Sequence, residues 1–166
     1  MKKLLLLSIL LLFSLAGCAE TKSQEVTINA PYEILINDTT FGYYDTKNNV
    51  PNEFNVLENS LSNSQSIGNN VLIDTNGMIR CISVANKTVK TYKGISVGDN
   101  INKIENIFSC EYKVGDNYMV IFNNNVEEDP TNQNKEDNWI WINYITDGSQ
   151  ITQIQIYDVK YGREMR

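Results

Sequence analysis

The chain has no histidine among its 166 residues. That absence removes the Ser-His-Asp and Cys-His arrangements of nucleophilic catalysis, together with the commonest metal ligand and proton shuttle. Cations are in deficit, with 14 Lys and Arg against 20 Asp and Glu and a formal net charge of −6. Nucleic-acid binding depends on neutralising phosphates with Lys and Arg, so the balance argues against it, and equally against an electrostatic grip on an anionic bilayer. A solvated acidic surface accounts for the charge. Cysteine is scarce as well, with three in the chain. Long apolar runs are missing after the first stretch, Leu4 to Leu15, which two serines interrupt. That stretch is shorter than the roughly 20 residues a membrane-spanning helix takes.

What is present at the N-terminus is an export pattern. Met1-Lys2-Lys3 supplies a cationic start, the apolar stretch follows, and Leu15-Ala16-Gly17-Cys18 ends it with small residues before a cysteine. These are the parts of a secretory signal. The last four residues resemble the lipobox of bacterial lipoproteins; the alternative is an ordinary secretory signal with a chance cysteine. The resemblance implies transfer of a diacylglyceryl group to the Cys18 sulfur and cleavage between Gly17 and Cys18. Residues 1–17 would then be a signal peptide, 18–30 a lipidated N-terminus and tether, and 31–166 a single domain. Two acyl chains hold a protein on a membrane stably, where one is marginal. The expected location is therefore the extracytoplasmic face of the cell membrane, with the membrane as a partner through Cys18. Cleavage removes Lys2 and Lys3 and no acid, which takes the net charge from −6 to −8.

Strand patterns dominate the rest. Residues 25–28 and 32–36 are short β-prone runs separated by Pro31. Val71–Asp74 and Met78–Val84 flank Thr75-Asn76-Gly77, whose Asn-Gly is a strong hairpin signal. Tyr112–Val114 and Tyr118–Phe122 flank Gly115-Asp116-Asn117, and Trp139–Ile145 and Gln150–Tyr157 flank residues 146–149. Two helices are predicted. One covers residues 100–109, with Asp99 as N-cap and Ile101, Ile104, Ile107 and Phe108 as its apolar stripe. The other covers Pro51 to Leu61, with Phe54, Leu57 and Leu61 on one face. The polar stretch Asn123–Asn138 reads as an exposed loop. A faint internal repeat pairs residues 55–62 with 102–109 and 77–84 with 149–156. The fold expected from these signals is α+β: an antiparallel sheet with short helices packed on one face, with two tandem submodules, 31–90 and 91–166, as an option.

The segment Gly94-Ile95-Ser96-Val97-Gly98-Asp99, followed by the Ile101–Phe108 stripe, resembles a signature of many Firmicute lipoproteins. Those are similar in fold to the β-lactamase-inhibitor-protein-like and outer-membrane-assembly lipoprotein E groups. The resemblance implies a helical pair on a curved antiparallel sheet. It is a structural motif and carries no catalytic residue across, and fold alone does not assign function.

Several residues invite a role. Along residues 139–144 the alternation puts Trp139 and Trp141 on one strand face and Ile140, Ile142 and Tyr144 on the other. If the isoleucine face meets the helices, the tryptophans form an exposed patch for a partner; otherwise they are core. Cys81 and Cys110 can pair in an exported domain or be two separate buried thiols. Glu127, Glu128, Asp129, Glu136 and Asp137 lack the spacing of a known calcium loop and read as solvated acids, so no metal and no cofactor is expected. The expected function is a lipid-anchored extracytoplasmic module, non-enzymatic, binding or assembling an envelope protein or peptide. The alternatives are an envelope glycan- or peptide-acting hydrolase working through carboxylates, and an immunity or inhibitor protein that occupies another protein.

Overall fold

The computed structural model describes residues 28, 30–58, 68–109, 112–123, 125–129 and 137–164. In chain order the elements are β1 (Glu33–Ile36), β2 (Thr39–Gly42), β3 (Asn55–Glu58), β4 (Asn70–Ile73), β5 (Ile79–Val84), α1 (Asn102–Ile107), β6 (Tyr112–Val114), β7 (Asn117–Asn123), β8 (Val126–Glu128), β9 (Ile140–Thr146), β10 (Ile151–Asp158) and α2 (Val159–Glu164). One sheet runs β3-β4-β5-β10-β9-β7-β6, and β8 lies beside β7 past the end of β6. The hairpin β1–β2 forms a second, two-stranded sheet. All pairs in the large sheet are antiparallel except β3 with β4, which is parallel.

The three predicted hairpins form where expected. Asn76-Gly77 joins β4 to β5, with Gly77 at φ 74°, a left-handed value that costs glycine little. Asp74 Oδ1 holds the turn by accepting from the backbone N–H of Asn76 and Met78, at 2.8 and 3.0 Å. A fourth hairpin, β1–β2, turns on Asn37-Asp38, both with positive φ, the geometry of a two-residue type I′ turn.

The sheet is buried on both faces. On one face lie Val71, Ile82, Val84, Val120, Phe122, Ile140, Ile142, Tyr144, Ile154 and Ile156. Ile34, Ile36, Phe41 and Tyr43 of the small hairpin and its exit pack into the same cluster, with Ile95, Ile104 and Phe108. On the other face a continuous row crosses the strands in register: Leu72, Cys81, Tyr157, Trp141 and Ile121. The chain turns back after β10 so that Val159 and Tyr161 of α2 cover this row. The backbone N–H groups of Val159 and Lys160 donate to the carbonyls of Trp139 and Asp137, at 2.9 and 3.1 Å.

This arrangement corrects the expected α+β class. The fold is sheet-rich, and the two helices among the described residues have six residues each and contribute to clusters on opposite faces. The helical pair implied by the lipoprotein resemblance is not among the described residues. Pro51 to Phe54 makes a turn closed by the Phe54 N–H on the Pro51 carbonyl, and residues 55–58 then extend as β3 rather than continuing as a helix. The physical reason is tertiary: Phe54 meets Phe41 edge-to-face at 5.1 Å, and extended residues beyond it pair with β4. Residues 59–61 of that predicted helix lie outside the described residues, as does the 25–27 part of the first predicted strand.

The helix expected at 100–109 is shorter, 102–107, and Asp99 does not cap it. Asp99 turns back to accept from the Ser96 N–H at 2.8 Å and pairs with Lys103 at 2.7 Å. Asn100 Oδ1 accepts from the N–H of Asn102 instead. Of the internal repeat, the helical half fails, because residues 55–58 are strand and 102–107 helix. Its strand half holds neighbouring positions: β5 and β10 pair directly, with Ile82 opposite Ile156 and Val84 opposite Ile154. Residues from both 31–90 and 91–166 therefore share one sheet.

Candidate functional site: an aromatic and amide-lined cleft

The tryptophans are core residues. Trp139 and Trp141 are 6% and 7% exposed, in the cluster with Leu72, Cys81, Ile121, Tyr157, Val159 and Tyr161. Of the two readings the strand pattern left open, exposed patch or core, the burial favours core. Both sheet faces are covered, so α2 shields the tryptophan side while the isoleucine side packs on the small hairpin. Trp141 lies 5.9 Å from the Tyr157 ring centroid.

Cys81 is a free thiol, fully enclosed on the same face. Burial pushes its pKa up to about 12, with the Asp158 carboxylate adding to the shift, so it is an inert neutral thiol. Cys110 and Cys18 lie outside the described residues. The acids considered for calcium are dispersed. Glu127 accepts from the Ser109 N–H at 2.7 Å, and Asp137 pairs with Arg163 at 2.6 Å on the surface. Glu136 lies outside the described residues, among which no group of three or more His, Cys, Asp or Glu side chains is arranged to hold a metal ion.

A polar cluster that sequence reasoning missed ties three elements together. Asp158, at the end of β10, accepts from the Tyr43 hydroxyl and from the backbone N–H of Tyr161 in α2, and it lies 3.4 Å from the Arg80 guanidinium of β5. Asp158 is buried, so each of these donors offsets the cost of enclosing its charge. Burial first, then the hydrogen bond to Asp158, raises the Tyr43 phenol well above its ordinary value. This group of side chains ties the exit of the small hairpin to β5, β10 and α2.

That exit builds a cleft. Gly42 sits where an added Cβ would lie 2.6 Å from the Tyr32 carbonyl oxygen, so only glycine lets the strand approach this closely. The Tyr43 N–H donates to that carbonyl at 2.9 Å. The result sets Tyr32 and Tyr44 side by side, edge-to-face, with ring centroids 5.2 Å apart. Opposite them are Phe122 and Asn123 at the end of β7, Asn125 in the β7–β8 turn, and Asn138 and Ile140 at the start of β9. Asn125 has φ 68°, a left-handed value asparagine adopts more readily than most residues.

The cleft encloses about 320 Å³, lined by these residues and Pro31. That is at the lower end of the roughly 300–1,000 Å³ of small-molecule sites. Phe122 and Ile140 are its buried apolar part, while Tyr44 is 52% exposed. The Tyr44 hydroxyl comes to 3.5 Å from the Asn138 carbonyl, a long contact. Partial burial, followed by the fields of Asp158 and Tyr32, raises the Tyr44 pKa, so the phenol stays a neutral donor. None of the described lining residues carries a charge. The side-chain amides of Asn123, Asn125 and Asn138 make no hydrogen bond to other described residues, which leaves three donor and acceptor pairs available.

A second concavity, lined by Gly68, Asn69, Ala85, Asn86 and Lys87, is wide open, and the Asn69 side-chain oxygen is already taken by the N–H groups of Ala85 and Asn86. The Gly94–Asp99 motif is structural in place: Thr91 Oγ1 donates to the Ile95 carbonyl at 2.8 Å, and the Gly98 N–H donates to Ile151 at 2.7 Å. Tyr32, Tyr44 and the three asparagines come from three separate segments. The Tyr43-Tyr44 doublet is visible in the sequence, but nothing in the sequence joins it to asparagines some 80 residues away. No family model, no curated protein and no solved structure matches the chain.

Proposed function

We propose that this protein is a lipid-anchored, extracytoplasmic binding module of the cell envelope, non-enzymatic, whose contact site is the Tyr32–Tyr44 cleft. The anchor half of the reading rests on Leu15-Ala16-Gly17-Cys18 and the export pattern before it. The binding half rests on one observation above all: a cleft walled by two tyrosines and three asparagine amides that have no partner among the described residues. Sites of this kind combine apolar contact with a few convergent polar groups. Tyrosine adds large contact area at low cost in conformational entropy. The tryptophan surface has no part in the reading, because those side chains are core.

The test has two arms on the same strain. Metabolic labelling with radioactive palmitate should mark the protein, and Cys18→Ala should lose the label and leave the membrane fraction. Detergent-solubilised lipidated protein should be retained on isolated envelope material, and a Tyr44→Ala variant with unchanged circular dichroism should be retained at least about tenfold less. Palmitate label surviving Cys18→Ala would overturn the anchor. Equal retention of parent and Tyr44→Ala would overturn the cleft.

A further inference from the structure

We infer that the cleft is built for a neutral saccharide, a ligand class that deepens the binding-module reading and rests on it. Three features of the lining carry the inference together. The first is the uncharged character of the described lining. A phosphate, a carboxylate ligand or a cationic peptide would be met by Arg, Lys, Asp or Glu, and the described lining consists of Tyr, Phe, Pro, Ile and Asn side chains. The chain as a whole is acidic, which also disfavours anionic ligands.

The second feature is the type of polar group. Each asparagine amide presents a donor and an acceptor side by side, a match for adjacent hydroxyls or for an acetamido group, which likewise donate and accept. The three asparagines come from the end of β7, the β7–β8 turn and the segment just before β9, and all three line the cleft. Their partners are missing among the described residues, so a ligand that hydrogen-bonds them replaces water alone and breaks no bond within the protein.

The third feature is the aromatic wall. The half-exposed Tyr44 ring is held edge-on to Tyr32 at 5.2 Å and to Tyr43 at 4.9 Å, which fixes its plane before a ligand arrives. The negative face of an aromatic ring attracts the polarised C–H groups on one side of a pyranose. Phe122 and Ile140 line the cleft as nearly buried core residues, which back this wall with apolar packing.

An extended peptide is the competing class. Peptides commonly add a strand to a free sheet edge. Beside the cleft, β7 offers none at Ile121 and Phe122, which are paired with β8 on one side and β9 on the other. The neutral peptide probe below separates the two classes.

The experiment is isothermal titration of the full lipidated protein, held in a detergent without a sugar headgroup. The probes are N,N′-diacetylchitobiose and cellobiose as neutral saccharides, galacturonate as a charged one, and N-acetyl-trialanine amide as a neutral peptide. The expected result is saturable binding of at least one neutral disaccharide, weakened about tenfold or more in Tyr44→Ala and in Asn138→Ala, with no binding of galacturonate or peptide. Both variants alter surface side chains, and a Thr152→Ala variant, far from the cleft in the register of β10, serves as a control that should bind like the parent. Binding of the peptide, or of galacturonate alone, would overturn the saccharide class while leaving the cleft as a binding site. The same follows if no probe binds while Tyr44→Ala still abolishes retention on envelope material. Disaccharide binding that survives both cleft substitutions would overturn the cleft itself.

Discussion

Asp158 ends β10 with its two carboxylate oxygens divided among the Tyr43 hydroxyl, the Tyr161 backbone N–H and the Arg80 guanidinium. Removing it strands a buried phenol and a helix N–H and takes a carboxylate from a half-buried guanidinium, and breaking a buried ionic group in this way costs about 3–5 kcal/mol. Asp158→Ala should therefore lower the urea midpoint sharply, whereas Tyr43→Phe, which leaves the other donors in place, should cost about 1 kcal/mol. Titration at this scale has a definite sign. Burial raises the thiol of Cys81 from 9.0 to about 12, and burial followed by the Asp158 hydrogen bond raises the phenol of Tyr43 above 10.0. In both, the neutral form is favoured by the fold, so their contribution is fully present below the unfolded values and is lost as pH rises through the folded ones. Stability should hold up to about pH 9 and fall from there towards pH 12. In Cys81→Ala the decline beginning near pH 9 should be shallower, as measured by urea unfolding at each pH. A profile flat to pH 11, or unchanged by Cys81→Ala, would contradict the enclosed thiol.

At the scale of elements, α2 shows how tightly the second face is closed. Gly162 lies against the sheet, where a Cβ would meet Tyr157 Cε2 at 2.8 Å and Trp141 Cε3 at 3.7 Å. Alanine ordinarily gains about 1 kcal/mol over glycine inside a helix. Here the methyl must displace a ring packed on a tryptophan, and overpacking of this sort costs about 1–3 kcal/mol. Gly162→Ala should accordingly destabilise the fold or at best leave it unchanged. Trp141→Ala should cost about 3–5 kcal/mol as a large core truncation. A stabilised Gly162→Ala, read by thermal unfolding, would mean that α2 is not docked as described.

The same elements mark what could be read in advance. Residues 112–114 and the Asn76-Gly77 and Gly115-Asp116 turns were legible because local chemistry decides them. The Pro51–Leu61 helix was not, since its apolar spacing suits either a helix or the alternate faces of a strand, and β4 decided between them. The burial of Trp139 and Trp141 depended on α2, whose six residues carry too weak a period to stand out. Val126–Glu128 is strand within a stretch that reads as loop, because β7 offers it an edge.

Across the whole molecule, a sheet covered on both sides leaves little of its own surface for recognition, and the cleft forms at the seam where the small hairpin meets β7 and β9. The site was illegible in the sequence for the same reason. Asparagine is frequent throughout the chain, so Asn123, Asn125 and Asn138 stand out only once the fold brings them opposite Tyr32 and Tyr44. Among the described residues no helix is long and apolar enough to cross a membrane. Hydrogen–deuterium exchange of the protein purified from its native membranes, with and without envelope material, is the most direct test of the cleft as the contact site. Slowed exchange should concentrate in the backbone of residues 30–33, 43–45, 121–125 and 138–140. Protection confined to the open concavity at Gly68, Asn69 and Ala85–Lys87, or spread evenly over the sheet, would contradict it.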